Sequence, residues 1–277
     1  MTERLKIVTD SASSLPRELA RQNDIDVIPN SILFKAEIFR DGIDLDTKQL
    51  IDLMRERNFI PSTGVSPIGE YLQVYDRYPD QHILSIHLIG NQSGVFNAAR
   101  IAATYREGKV DVYDSETVSM GIGFMALKAA ELSSKGASLK VIREKLDDMK
   151  SKTTVIAAID SLEHLRKGGR VRAIEGLIAM GLRIKPIVKF ENNEVFISDK
   201  VRTRARSLDR LVEITRAVAD NGIDQVAVLH ADAINDALRV AENIKDFYKG
   251  DVNIYDCGAV LAIQAGPSVV GVAVVRK

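Results

Sequence analysis

Ile83-Leu84-Ser85-Ile86-His87-Leu88-Ile89-Gly90-Asn91-Gln92-Ser93-Gly94-Val95-Phe96-Asn97-Ala98-Ala99-Arg100 reads as a strand, a short polar loop and a helix. Its first seven residues are mostly β-branched or long and apolar, the pattern of a strand covered on both faces. Val95, Ala98, Ala99 and Ala102 recur at the spacing of one helical face. Ser93 is placed to cap that helix. A hydroxyl beside free backbone N–H groups also suits an anion or a carboxylate. The other reading of the same residue is a cap and nothing more.

Working outward, the same alternation recurs. Residues 5–9 and 25–29 predict strands, and a helix begins near Pro16 with Ser14 as its cap. Asp46 caps a helix over 47–57. A turn-rich loop, Pro61-Ser62-Thr63-Gly64-Val65-Ser66-Pro67, precedes a helix over 69–78. Residues 110–113 predict a strand, followed by a helix from Gly121 and Gly123 and another from Ser138. Strands alternating with helices across short loops predict a mainly parallel sheet with helices on both faces. In such sheets ligands lie beyond the carboxyl ends of the strands, where Asp10-Ser11, Gly90–Gly94 and Asp114-Ser115 fall.

The pattern changes after about residue 150. Residues 153–159 predict a strand, and Asp160-Ser161-Leu162-Glu163 has the form of a capping box with the acid at the cap. Residues 184–190 and 194–198 flank Asn192-Asn193 as a hairpin. Helices over 206–220 and 233–248, strands over 225–230 and 252–255, an apolar glycine-bounded loop over 258–268 and a final strand complete the chain. The expected fold is therefore α/β with two α/β domains. Residues 1–150 form the first, with a mainly parallel sheet and helices on both faces. Residues 151–277 form the second, a mixed sheet with helices.

Composition narrows the function. Lys plus Arg equals Asp plus Glu at 38 each, which argues against nucleic acid as the main partner. Trp is absent and aromatics are 5%, so base-stacking platforms are scarce. Cys257 stands alone and the four His are scattered, so no disulfide within the chain and no metal site is expected. No signal-like segment opens the chain and no apolar run reaches the length of a membrane span. The expectation is a cytoplasmic protein without stable membrane insertion.

GxGxxG, GxxxxGK[ST] and GxSxG motifs are absent, and no general base neighbours the loop hydroxyls in sequence. His87, inside an apolar strand, reads as a core histidine. Ser11 and Ser115 offer hydroxyls at the ligand edge or simply cap the next helical turn. Hydroxyls without a base, among Ala, Ile, Leu and Val, suit binding of an amphipathic acid better than turnover. The basic points Lys167-Gly168-Gly169-Arg170 and Arg202-Thr203-Arg204 read as solvated faces or as an anion or partner site.

The chain resembles the DegV family of bacterial fatty-acid-binding proteins, of the FakB type, over nearly its whole length. The resemblance is carried by Ile7-Val8-Thr9-Asp10-Ser11, Thr63 with Gly69-Glu70-Tyr71, Ser93-Gly94, Asp114-Ser115 with Gly121 and Gly123, residues 162–170, Lys185-Pro186, Arg202-Thr203 and Gly266-Pro267. It implies a fatty acid in a tunnel between two domains, its carboxylate on Thr63 and Ser93, with Ser11, Ser115 and Gly94 lining the pocket. It further implies no cofactor, no catalytic residue, and a fatty acid kinase as partner. That kinase would make acyl phosphate for phospholipid synthesis and meet Arg170 and Arg202. This chain departs from the family at Gly64-Val65, at the Gly90–Gln92 loop, and at Gln264, which stands where the family has a histidine on the carboxylate. Glutamine donates a hydrogen bond but carries no charge. The rival expectation is an enzyme of kinase or transferase type acting on a small carbonyl or phosphorylated acid at the same loops.

Overall fold

The computed structural model describes residues 4–171, 184–220 and 222–277. In chain order the first half contains β1 (Lys6–Asp10), a 3-10 turn (Ser11–Ser13), α1 (Arg17–Gln22), β2 (Ile25–Ile28), β3 (Ser31–Phe34), β4 (Glu37–Arg40), α2 (Thr47–Arg57), β5 (Ser62–Gly64), α3 (Ile68–Tyr75), β6 (Ile83–His87), α4 (Val95–Ala103), β7 (Val110–Asp114), α5 (Met120–Ser134) and α6 (Leu139–Lys152). Then come β8 (Thr153–Ala158), α7 (Leu162–Gly168), β9 (Lys185–Glu191), β10 (Glu194–Val201), α8 (Arg204–Val218), β11 (Ile223–His230), α9 (Ile234–Lys245), β12 (Asn253–Asp256), α10 (Ala259–Ala265) and β13 (Val270–Arg276).

The fold is α/β. Strands in the order β2-β1-β6-β7 form a parallel sheet, and β10-β9-β8-β13-β11-β12 form a mixed one in which only β11 and β12 run parallel. Alternation along each strand explains the layers. On the parallel sheet, Val8 and Ile83 pack with Tyr71, Val74 and Ala98 of α3 and α4. Ile7, Leu84 and Ile86 face the other way, toward α5. On the mixed sheet, Ile156, Val272 and Val274 pack against Leu211 of α8 and Val240 of α9, while Val155, Val188, Phe190 and Leu229 face the opposite side.

Helix α5 joins the two sheets. Residues Met120 to Ala126, with Ala129, Ala130 and Ser133, are all buried, as expected of a helix apolar on every side. It touches β1 and β6 on one side and β8 and β13 on the other.

Several local expectations change. A third, antiparallel sheet, β4-β3-β5, takes in residues 62–64 of the stretch read as a turn-rich loop, and Thr63 lies on its edge strand, paired with Ile32. Its strands are three or four residues long, and Lys35 turns the hairpin at φ 57° without an Asn or Gly signal. Ser14 is no cap; its Oγ donates to Cys257 O at 2.7 Å and bonds Ser119 Oγ at 2.9 Å. Ser161, not Asp160, caps α7, because Asp160 is engaged by Lys185 Nζ at 2.7 Å. Residues 259–265 are a helix rather than a loop, held between Gly258 and Gly266, both at φ 88°.

The start of α10 is capped from afar. Asp41, 4% exposed, accepts from Ala259 N at 3.1 Å. Burial raises its pKa from 3.8 to about 6; the Ser11 hydroxyl and the N–H groups of Ala259 and Val260 oppose the rise, and Asp10 adds to it. The folded state thus holds this proton more tightly than the unfolded chain does. Its contribution is full below about pH 4 and is lost as the pH climbs to about 6, roughly 3 kcal/mol over the window. Urea unfolding at pH 4 and pH 7 should therefore show Asp41→Asn gaining on wild type by that order as pH rises. Parallel stability curves would contradict the assignment.

Candidate functional site

A cavity of about 520 Å3 lies between the parallel sheet's loops, the mixed sheet and α10. Its walls are Leu88 to Val95 after β6, Thr63 to Val65 on β5, the inward residues Val155, Ala157, Val188, Phe190 and Leu229 of the mixed sheet, and Val260, Leu261 and Gln264 of α10. That is the side where the parallel strands end, as ligands in such sheets prefer. The volume lies in the range of small-molecule pockets.

Among the candidates, Thr63, Ser93, Gly94, Gln264 and Arg170 line this cavity. Gln264 Nε2 donates to Thr63 Oγ1 at 2.8 Å. Ser93 Oγ accepts from Val95 N at 3.3 Å, while Gly94 is the N-cap residue of α4. Ser93 therefore braces the helix start from one position further out than a cap. Each oxygen accepts one bond and neither O–H has an acceptor among the described residues, so both hydrogens are available to something in the cavity. Arg170 is the one charged side chain in the described lining, and its guanidinium also donates to Gly168 O.

Two contacts set Gln264 in place. His164 Nδ1 donates to Ile263 O at 2.8 Å, with burial lowering the histidine's pKa. Gly168 leaves room for Gln264 Oε1, which a Cβ at that position would overlap. A methyl at 168 would have to push the glutamine amide aside.

Other candidates lie elsewhere. Ser11 is outside the lining; its Oγ accepts from Asn30 N at 3.0 Å and its hydroxyl supports Asp41. Ser115, fully buried and outside the lining, bonds the backbone of Thr117 at 3.4 Å in both directions. Arg202 is exposed just before α8, also outside the lining. Asn30, Ser119 and Cys257 line the cavity without having stood out in sequence. Asn30 and Cys257 follow strand ends, the same signal that flagged Asp10 and Asp114. Burial pushes the Cys257 thiol well up, so it stays protonated.

A Ser-His-Asp series is present. Ser85 Oγ lies 2.7 Å from His87 Nε2, and His87 Nδ1 lies 3.0 Å from Asp10 Oδ2. Tyr75 OH bonds Ser85 Oγ at 2.9 Å. All three triad-like residues are 0% exposed and none lines the cavity. Buried and outside the lining, the series packs as a brace within the parallel sheet. The core reading of His87 matches this placement.

The same architecture recurs in known proteins. A family model described as "Uncharacterised protein, DegV family" matches residues 4–277. Protein DegV of Bacillus subtilis is 34% identical over 97% of this chain and 98% of its own length. The crystal structure of DegV, a fatty acid binding protein from Bacillus subtilis, superimposes with a TM-score of 0.88 at 32% identity, covering 99% of this chain and 100% of that one. A fatty-acid-binding DegV family protein from Thermus thermophilus gives a TM-score of 0.89 at 25% identity over 98% and 99% of the two chains. With the parallel sheet, the mixed sheet and the cavity between them in place, the match from Arg4 to the last residue means that this chain belongs to the DegV family.

Proposed function

We propose that this chain is a non-enzymatic, cytoplasmic carrier of one long-chain fatty acid. The acyl tail lies in the cavity between an N-terminal domain (residues 1–150) and a C-terminal domain (residues 151–277). Thr63 and Ser93 donate to the carboxylate, with Gln264 orienting Thr63. The observation that carries this reading is the pair of hydroxyls with available hydrogens, set in a cavity whose walls are mostly apolar. A carboxylate only accepts, so it answers both. Each methylene taken from water adds about 0.8 kcal/mol, so a long tail supplies most of the affinity and neutral donors suffice at the head. The two fatty-acid-binding relatives from Bacillus subtilis and Thermus thermophilus support the same ligand.

The bound acid is offered to a fatty acid kinase, which forms the acyl phosphate used in phospholipid synthesis. Arg170 at the cavity and Arg202 on the surface are the cations for the new phosphate or the kinase. Arg170→Ala and Arg202→Ala should leave fatty-acid affinity within about twofold. They should lower acyl-phosphate formation by a partner kinase by about tenfold each, the order of one charge-assisted contact. Wild-type phosphorylation rates in both variants would remove the arginines from that role.

A further inference from the structure

Asn30 stands between β2 and β3, is 2% exposed, and lines the cavity. Its Nδ2 donates to Asp10 Oδ1 at 3.0 Å. Asp10 also receives Ala12 N at 2.9 Å, Leu88 N at 3.0 Å and His87 Nδ1 at 3.0 Å. Four donors converging on one carboxylate fix it as the acceptor, so the Asn30 amide cannot turn over without setting oxygen against oxygen. The orientation leaves Asn30 Oδ1 buried and without a partner among the described residues. A buried acceptor left unpaired is costly.

Among the described residues the surroundings offer it no donor. Ser119 also lines the cavity, but Ser14 donates to Cys257 O, which leaves the Ser119 hydroxyl to donate to Ser14. This corner therefore presents oxygen acceptors, whereas Thr63 and Ser93 present hydroxyl hydrogens, beside the unpartnered Gln264 Oε1. The two corners are close. Ser31 pairs with Gly64 and Ile32 with Thr63, so Asn30, one residue before β3, lies diagonally from Thr63, about 4.8 Å across the strands and two residues along them.

We propose that Asn30 is a specificity-determining residue that favours a fatty acid carrying a hydroxyl near its carboxyl end, at carbon 2 or 3. The inference rests on the carrier function proposed above. The carboxylate accepts from Thr63 and Ser93, and the neighbouring hydroxyl donates to Asn30 Oδ1. An unsubstituted acid puts methylenes against that oxygen and leaves it dependent on a trapped water.

The test is competitive binding of hexadecanoic acid against its 2-hydroxy, 3-hydroxy and 12-hydroxy derivatives, on wild type, Asn30→Leu and Asn30→Ala. Wild type should bind the 2- or 3-hydroxy acid about fivefold more tightly than hexadecanoic acid, the order of one net hydrogen bond. Both variants should lose that ratio while keeping hexadecanoic acid within about threefold, and the 12-hydroxy acid should gain nothing. Equal affinity of wild type for the parent and the 2- and 3-hydroxy acids overturns the proposal, since a water then serves Asn30 in every case. So does a preference that survives in the variants. Because the wild-type ratio alone decides the first point, a variant that fails to fold does not shield the idea. Binding of hexadecanoic acid without any preference sinks only this inference, whereas failure to bind any of the acids sinks the carrier function with it.

Discussion

Ala157→Phe is expected to weaken binding of hexadecanoic acid by more than about 100-fold while the protein stays folded. Ala157 on β8 sits directly opposite Gly271 on β13 and beside Val188 on β9. All three line the cavity. The two smallest side chains thus meet at the centre of the mixed sheet's inner face and leave its floor open. Strand alternation sends residue 157 into the cavity, because the neighbouring positions Ile156 and Ala158 pack under α8 and α9. A phenyl ring there fills space that the tail would occupy. Displacing roughly four methylenes removes about 3 kcal/mol, a factor above 100. The penalty should grow with chain length in a series from octanoic to octadecanoic acid. A loss independent of chain length, or no loss, would mean that the tail does not lie on this face.

The second large effect concerns the head group. Thr63→Ala combined with Ser93→Ala should lower affinity for hexadecanoate by about 100-fold or more, since each hydrogen bond to a charged group is worth about 1.5–3 kcal/mol. The corresponding methyl ester should lose much less, because it offers a weaker, uncharged acceptor. Fluorescence displacement on both ligands separates the two. Equal losses for acid and ester would show that the substitutions damage the cavity rather than the carboxylate contact. Ser93 also braces Val95 N, so a modest fall in thermal stability accompanies its removal.

Much of this arrangement is legible in the sequence alone. The apolar runs ending at Asp10, His87 and Asp114 announce parallel strands, and the loops after them announce the ligand side. Asn192 and Asn193, at φ 50° and 65°, turn the hairpin that their identity predicts. The features that local pattern misses are hidden for physical reasons. The β3–β4 hairpin turns at Lys35-Ala36, residues with no turn preference. The stretch 259–265 is apolar almost throughout, so it carries no helical period, and its fixing groups, Asp41 and His164, come from distant parts of the chain. The central place of β13 between β8 and β11 includes a pairing across more than a hundred residues, which local pattern does not encode.

The site divides along the same line. Ser93 is legible from its strand–loop–helix setting, whereas Gln264 and Thr63 gain meaning through family resemblance and meet only in three dimensions. Ser11 and Ser115 occupy the expected sheet edge, yet their hydroxyls are engaged by Asp41, Asn30 and Thr117. A strand-end serine signals proximity to a site; its hydrogen-bond partners decide whether it is free to act there.

Native mass spectrometry of the purified protein bears most directly on the central claim that the cavity houses an acyl chain. The expected result is a population heavier than the bare chain by the mass of one long-chain fatty acid, released on denaturation and depleted in Ala157→Phe. A bare chain that remains bare after incubation with hexadecanoic and octadecanoic acids, or a bound species that is small and polar, would contradict it.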